Sequence, residues 1–115
     1  VLILCAALED GHGGEAFYRW FSEHESPEEV LREIESTPPE QTTADQWQAQ
    51  ILARVMLKAQ IIYVCEEKDR ATVEAMHMKW AANVDDALRM AEEMLGGEPS
   101  VTVIPDGVGV IVKER

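Results

Sequence analysis

Two apolar runs without alternation, Val1 to Leu8 (VLILCAAL) and Ile61 to Cys65 (IIYVC), constrain this chain more than any other feature. A strand with one wet face alternates apolar and polar residues, whereas a strand that is apolar throughout is covered on both faces. Such strands belong to parallel sheets, and parallel neighbours need long crossovers, usually helical. The segment between the two runs has room for those helices. With 115 residues the chain is one domain.

The helices announce themselves by their starts. After the first run, Glu9-Asp10-Gly11-His12-Gly13-Gly14 allows a tight turn, and a helix begins near Glu15 with Ala16, Phe17, Trp20 and Phe21 at helical spacing. Ser26-Pro27-Glu28-Glu29 combines a capping serine, a first-turn proline and a glutamate three residues after the cap. Val30, Leu31 and Ile34 then form a buried stripe, and Thr37-Pro38-Pro39 ends the helix. The longest helix is expected from about Thr43 to Lys58, with Trp47, Ile51, Leu52, Val55 and Met56 as its apolar face. Beyond the second run come a short helix over Arg70 to Met76, a brief edge strand over Met78 to Ala81, and a helix from Val84 to Leu95. Asn83 caps this last helix, Ala87, Leu88, Ala91 and Leu95 face inward, and Gly96-Gly97 ends it. Val101 to Ile104 and Val108 to Val112 read as strands around a Pro105-Asp106-Gly107 turn. The expectation is a layered α/β sandwich around a mostly parallel sheet of about four strands, with Val1 to Leu8 and Ile61 to Cys65 both interior. An opening on a doubly covered strand, without Met, is also expected of an excised C-terminal domain that lacks its beginning.

Composition excludes several function classes. A net charge of -12 is the wrong sign for a chain that neutralises phosphates, so neither nucleic acid nor an anionic membrane is an expected partner. No apolar run approaches the roughly 20 residues of a membrane-spanning helix. Between Glu9 and Glu40, ten acidic residues face Arg19 and Arg32, so this third of the chain holds eight of the twelve net negative charges; it reads as a solvated helix surface. Cys5 and Cys65 lack ligand or redox spacing and read as buried, inert thiols of a cytoplasmic protein.

Candidate chemistry is confined to two segments. In open α/β sheets ligands bind beyond the carboxyl ends of the strands, which singles out the loop 10–14 and within it Gly11, His12 and Gly13. Its amides can cradle an anion, and His12 beside Asp10 can serve as a base or ligand; the plain alternative is a structural turn with a surface histidine. The other segment is Asp45-Gln46-Trp47-Gln48-Ala49-Gln50, which crowds three amides and an indole into a helix start. Amides there can bind a carboxylate and Trp47 can wall a pocket, or else Trp47 is core and the glutamines are solvated. His24 and His77 read as structural. No spacing of histidines or cysteines forms a metal site, and no residue reads as catalytic.

Taken in order, the strand ending in Glu9-Asp10-Gly11-His12-Gly13, then Phe17-Tyr18-Arg19-Trp20-Phe21, Ser26 to Leu31, Asp45 to Gln50 and Val103-Ile104-Pro105-Asp106-Gly107 resemble the C-terminal domain of the nickel-pincer lactate racemase family. That resemblance implies a two-domain isomerase that inverts small α-hydroxy acids by hydride transfer to a nickel pincer nucleotide. It implies further that the acid and base histidines, the cofactor-tethering lysine and the nickel ligand lie in regions without a counterpart here, as does a Gln-x-x-Lys pair aligned just before Val1. Trp47 matches a tryptophan that the family places beside the cofactor and substrate cleft. On this resemblance the chain partners its own N-terminal domain, holds no cofactor by itself and is inactive alone. The alternative of a different class is a free-standing binding or interaction module that uses the loop 10–14.

Overall fold

The computed structural model describes residues 1–9, 11–111 and 113. Strand β1 (Leu2–Cys5) leads through the glycine loop into three helices, α1 (Glu15–Ser22), α2 (Pro27–Ser36) and α3 (Gln46–Met56), with a short 3-10 turn at Pro39–Gln41. Strand β2 (Ile61–Val64) follows, then a 3-10 turn at Glu67–Asp69, α4 (Arg70–Ala75), β3 (Lys79–Ala81) and α5 (Val84–Leu95). The sheet has the order β1-β2-β3, and both pairings are parallel, with Ile3 opposite Ile62 and Val64 opposite Ala81. The layered α/β architecture and the parallel sheet expected of the two apolar runs are therefore present.

Helix starts follow the capping signals. At α2 the Glu29 amide donates to Ser26 Oγ (3.3 Å), while the Glu29 carboxylate accepts from the Glu25 amide (3.0 Å). At α5 the Asp86 amide donates to Asn83 Oδ1 (2.9 Å). The α3 start differs from expectation: Asp45 adopts a left-handed conformation (φ 59°), and the helix begins at Gln46 rather than Thr43. The Gln46 side chain still reaches back over this start, for the Thr43 amide donates to Gln46 Oε1 (3.1 Å).

Two clusters hold the layers. On one face of the sheet, Ala87 and Ala91 of α5 lie against Ile62 and Ala81, with Ile3, Val64, Met90 and Met94 around them. Helices α1 to α3 share the other cluster, in which Trp20, Phe21, Val30, Leu31 and Ile34 meet Ala49, Ala53 and Met76. His77, in a left-handed turn (φ 61°), ties the approach to β3 onto α1: its Nε2–H donates to the carbonyls of Phe21 (3.0 Å) and His24 (2.9 Å). His24 in turn joins α1 to α2 through Glu33 (2.7 Å). Both histidines are structural, as their surroundings in the sequence suggested.

Four expectations are corrected. First, β1 is an edge strand among the described residues, with β2 on one side only, and Leu2 and Leu4 are exposed on the face that α5 does not cover. Second, among the described residues the sheet has three strands: 101–104 form no strand pairing, Val108 and Gly109 belong to the turn and bend that follow Ile104, and Val112 lies outside those residues. Third, α3 buries Gln46, Ala49 and Ala53, while Trp47 and Ile51 point outward. The cause is close packing, for alanines let α1 and α2 approach where larger side chains would hold them off. Fourth, Leu95 of α5 is exposed, while Met90 and Met94 pack against the cluster with Ala87 and Ala91.

Phe21 is wholly buried where the helices meet. Phe21→Ala is expected to cost about 3 to 5 kcal/mol in urea unfolding, whereas Ile51→Ala on the exposed side of α3 should change stability by under about 1 kcal/mol.

Candidate functional site

Parallel topology decides where a site can form. Helix α3 descends to the start of β2 at Ile61, so its first turn lies at the level where strands end; the loop after β1 emerges at the same level. Contact between the two is direct. A Cβ placed on Gly14 would stand 2.6 Å from Asp45 Oδ2, so Gly14, the residue before α1, is pressed against the carboxylate that precedes α3. A carboxylate beside the N-terminus of α1 is favourably placed against the helix dipole. The two segments singled out in the sequence are thus neighbours.

Within this edge the residues differ in what they can do. Trp47 stands on the first turn of α3 with 64% of its surface accessible, and Ile51, one turn on, is also exposed. An indole this open contributes little to the core of its own domain. Gln48 is exposed beside it and Gln50 is half-buried, but Gln46 faces inward and is engaged by the Thr43 amide. Gln46 is therefore a helix-start ligand, not one of the amides open to a carboxylate.

The glycine loop is a shallow, open concavity lined by Ala7, Leu8, Glu9, Gly11, His12 and Gly13. Gly11 and Gly13 take positive φ (77° and 79°), a conformation that residues with a Cβ rarely adopt. The His12 ring stacks on Tyr18 of α1 at 4.2 Å between centroids, and its Nε2 lies 3.4 Å from Glu15 Oε2. This packing sets His12 against α1, and the acidic Glu9 and Glu15 nearby disfavour an anion. Asp10, the expected partner of His12, lies outside the described residues.

The cysteines also separate. Cys65 is buried beyond β2, where burial pushes its thiol above the ordinary range, while Cys5 at the end of β1 is exposed, contrary to expectation. Both are free. Edge position explains Cys5, since among the described residues β1 has no neighbour on its outer side. Among the described residues no three or more His, Cys, Asp or Glu side chains gather as a metal site, and no helix is long and apolar enough to cross a membrane.

Comparison with known proteins gives this edge its context. Residues 1–112 match the family described as the lactate racemase C-terminal domain. The chain belongs to that family. It is similar to the lactate racemase of Thermoanaerobacterium thermosaccharolyticum, 44% identical over all 115 residues, and to that of Lactiplantibacillus plantarum, 42% identical over 112 residues. A solved structure, the lactate racemase apoprotein of T. thermosaccharolyticum, superposes with a TM-score of 0.93 over 97% of this chain at 44% identity. The chain spans about a quarter of these relatives' length: 27% and 26% of the two racemases, and 27% of the solved chain.

Two outcomes follow for the isolated domain. With nickel at neutral pH, calorimetry should show no stoichiometric binding tighter than micromolar, because no donor set converges among the described residues. With a thiol alkylating reagent, Cys5 should be modified in the folded protein at least about tenfold faster than Cys65, whose reaction awaits unfolding. Equal rates would contradict the burial of Cys65.

Proposed function

We propose that this chain is the C-terminal domain of a racemase-type isomerase of small α-hydroxy acids, and that Trp47 forms part of the wall of a cleft completed by an N-terminal domain. The observation that carries the reading is the exposed indole of Trp47, two residues after the Asp45 that meets Gly14, in a chain whose relatives are nearly four times longer. An exposed tryptophan on a helix is a costly residue to leave in water and a useful one to close a pocket. In the longer protein the domain that faces it would bury it.

The residues described here do not by themselves suit a nickel pincer nucleotide, since they gather no metal-ligating set. In this proposal the cofactor and the acid and base groups belong to the part of the enzyme outside this chain, and no step is assigned to them here. What this chain supplies is position. Inversion at Cα requires the C–H bond to be broken and re-formed on either face of the carbon, so the substrate must be held without either face being blocked. A flat apolar wall does this by shape, donates no competing proton and displaces water from the reacting centre. Gln48, exposed next to Trp47, is placed to offer a neutral amide to a polar group of the substrate. The free thiols Cys5 and Cys65 support a reducing, cytoplasmic setting for the enzyme.

Trp47→Ala in the full-length enzyme should lower turnover of the hydroxy acid by about 10- to 100-fold through lost positioning. Its melting temperature should stay within a few degrees of the parent, because an exposed side chain holds little of the fold together. Unaltered turnover, or a variant that unfolds yet is fully active per folded molecule, would contradict the reading.

A further inference from the structure

Gly14 and Asp45 each stand at the N-cap of a helix, and neither side chain caps its own helix. Gly14 has none to offer, and the Asp45 carboxylate makes no capping hydrogen bond to the first turn of α3. An aspartate in this place ordinarily has an extended backbone and turns its carboxylate onto the free amides of the helix it precedes. Asp45 instead has a left-handed backbone (φ 59°), and its carboxylate lies against the residue before α1. Gly14 has φ -63° and ψ 132°, a conformation open to any residue. What glycine supplies there is space, because a Cβ would meet Asp45 Oδ2 at 2.6 Å.

Each partner is locked to its own helix. The Asp45 carbonyl accepts from the Gln48 and Ala49 amides (3.0 and 3.1 Å), and the Gly14 carbonyl accepts from the Tyr18 amide (3.1 Å). One turn beyond Asp45, Ala49 is wholly buried in the cluster that holds Trp20 and Phe21 of α1. Helix α3 is therefore held to α1 at two levels, and Trp47 stands on the turn between them. At 64% accessibility the indole has little packing of its own, so its direction follows the turn that carries it. Held at Ala49 alone, that turn would be free to tilt. A carboxylate against the N-terminus of α1, where the helix dipole is positive, resists the tilt.

We infer that Asp45 is the positioning residue for Trp47: its carboxylate, seated where Gly14 lacks a Cβ, fixes the first turn of α3 and with it the direction of the indole. The effect on turnover rests on the proposed cleft role of Trp47; the effect on the indole does not.

Full-length protein carrying 5-fluorotryptophan reports the indole directly. Asp45→Gly removes the carboxylate and keeps a residue at ease with positive φ, while Gly14→Ala keeps the charge and drives it from its seat. Without substrate, each change should displace the Trp47 fluorine resonance and leave those of Trp20 and Trp80 in place. The two changes together should displace it no further than the larger single one, since the same link is lost in all three proteins. In turnover, Asp45→Gly should lower kcat about 5- to 20-fold, and should cost nothing more once Trp47 is alanine. A Trp47 resonance unmoved in both single variants would overturn the inference. So would displacements that add in the double variant, or an Asp45→Gly loss that multiplies the loss in Trp47→Ala. If Trp47→Ala itself leaves turnover unaltered, the cleft role falls and the resonances still decide the link, so the two proposals fail separately.

Discussion

Everything in this domain is arranged by the central strand. Ile62 of β2 is completely buried, with β1 on one side, β3 on the other and α5 across its face. Because both pairings are parallel, each connection must return to the edge at which the strands start, and every helix-leading loop emerges at the opposite edge. That constraint alone brings the glycine loop and the start of α3 together, although about thirty residues separate them in sequence. The contact of Gly14 with Asp45 is its local consequence.

Alanine sets the next level. Ala49 and Ala53 on α3, and Ala87 and Ala91 on α5, are the residues at which these helices approach their neighbours. Small residues there permit short interhelical and helix-to-sheet distances, and on α3 they leave Trp47 and Ile51 outside while Leu52 and Met56 flank the cluster. Trp47 and Ile51 therefore stand in water because Ala49 and Ala53 do not. The edge strand β1 and residues 101–111 add further exposed apolar surface, more than a separate acidic domain would be expected to leave uncovered.

This distribution explains what could and could not be read from the chain. Signals carried by local chemistry were legible: the Ser26, Pro27 and Glu29 start of α2, the Asn83 cap of α5, and the β-branched run of β2. Two nominated segments, the glycine loop and the Asp45 to Gln50 turn, lie side by side in the fold. Apolar periodicity was less faithful. It placed Trp47 and Ile51 in the core, Val1 to Leu8 in the sheet interior and two strands after Val101, all on residues that the domain leaves exposed or unpaired. Periodicity reports that a residue is to be covered, not by what. If the rest of a two-domain enzyme covers them, the same residues are core in the longer protein and surface here. The left-handed Asp45 and the inward turn of Gln46 were invisible for another reason, since both follow from tertiary contacts at the start of α3.

The central claim is that Trp47 faces the substrate when the enzyme is whole. Fluorine NMR of full-length protein labelled with 5-fluorotryptophan examines it directly, with the Trp47 resonance assigned by its loss in Trp47→Phe. On titration with lactate, or with another small α-hydroxy acid, the account predicts that this resonance shifts with saturation while those of Trp20, in the helical core, and Trp80, bonded to the Cys65 carbonyl, stay in place. A Trp47 resonance that is indifferent to saturating substrate would contradict the account.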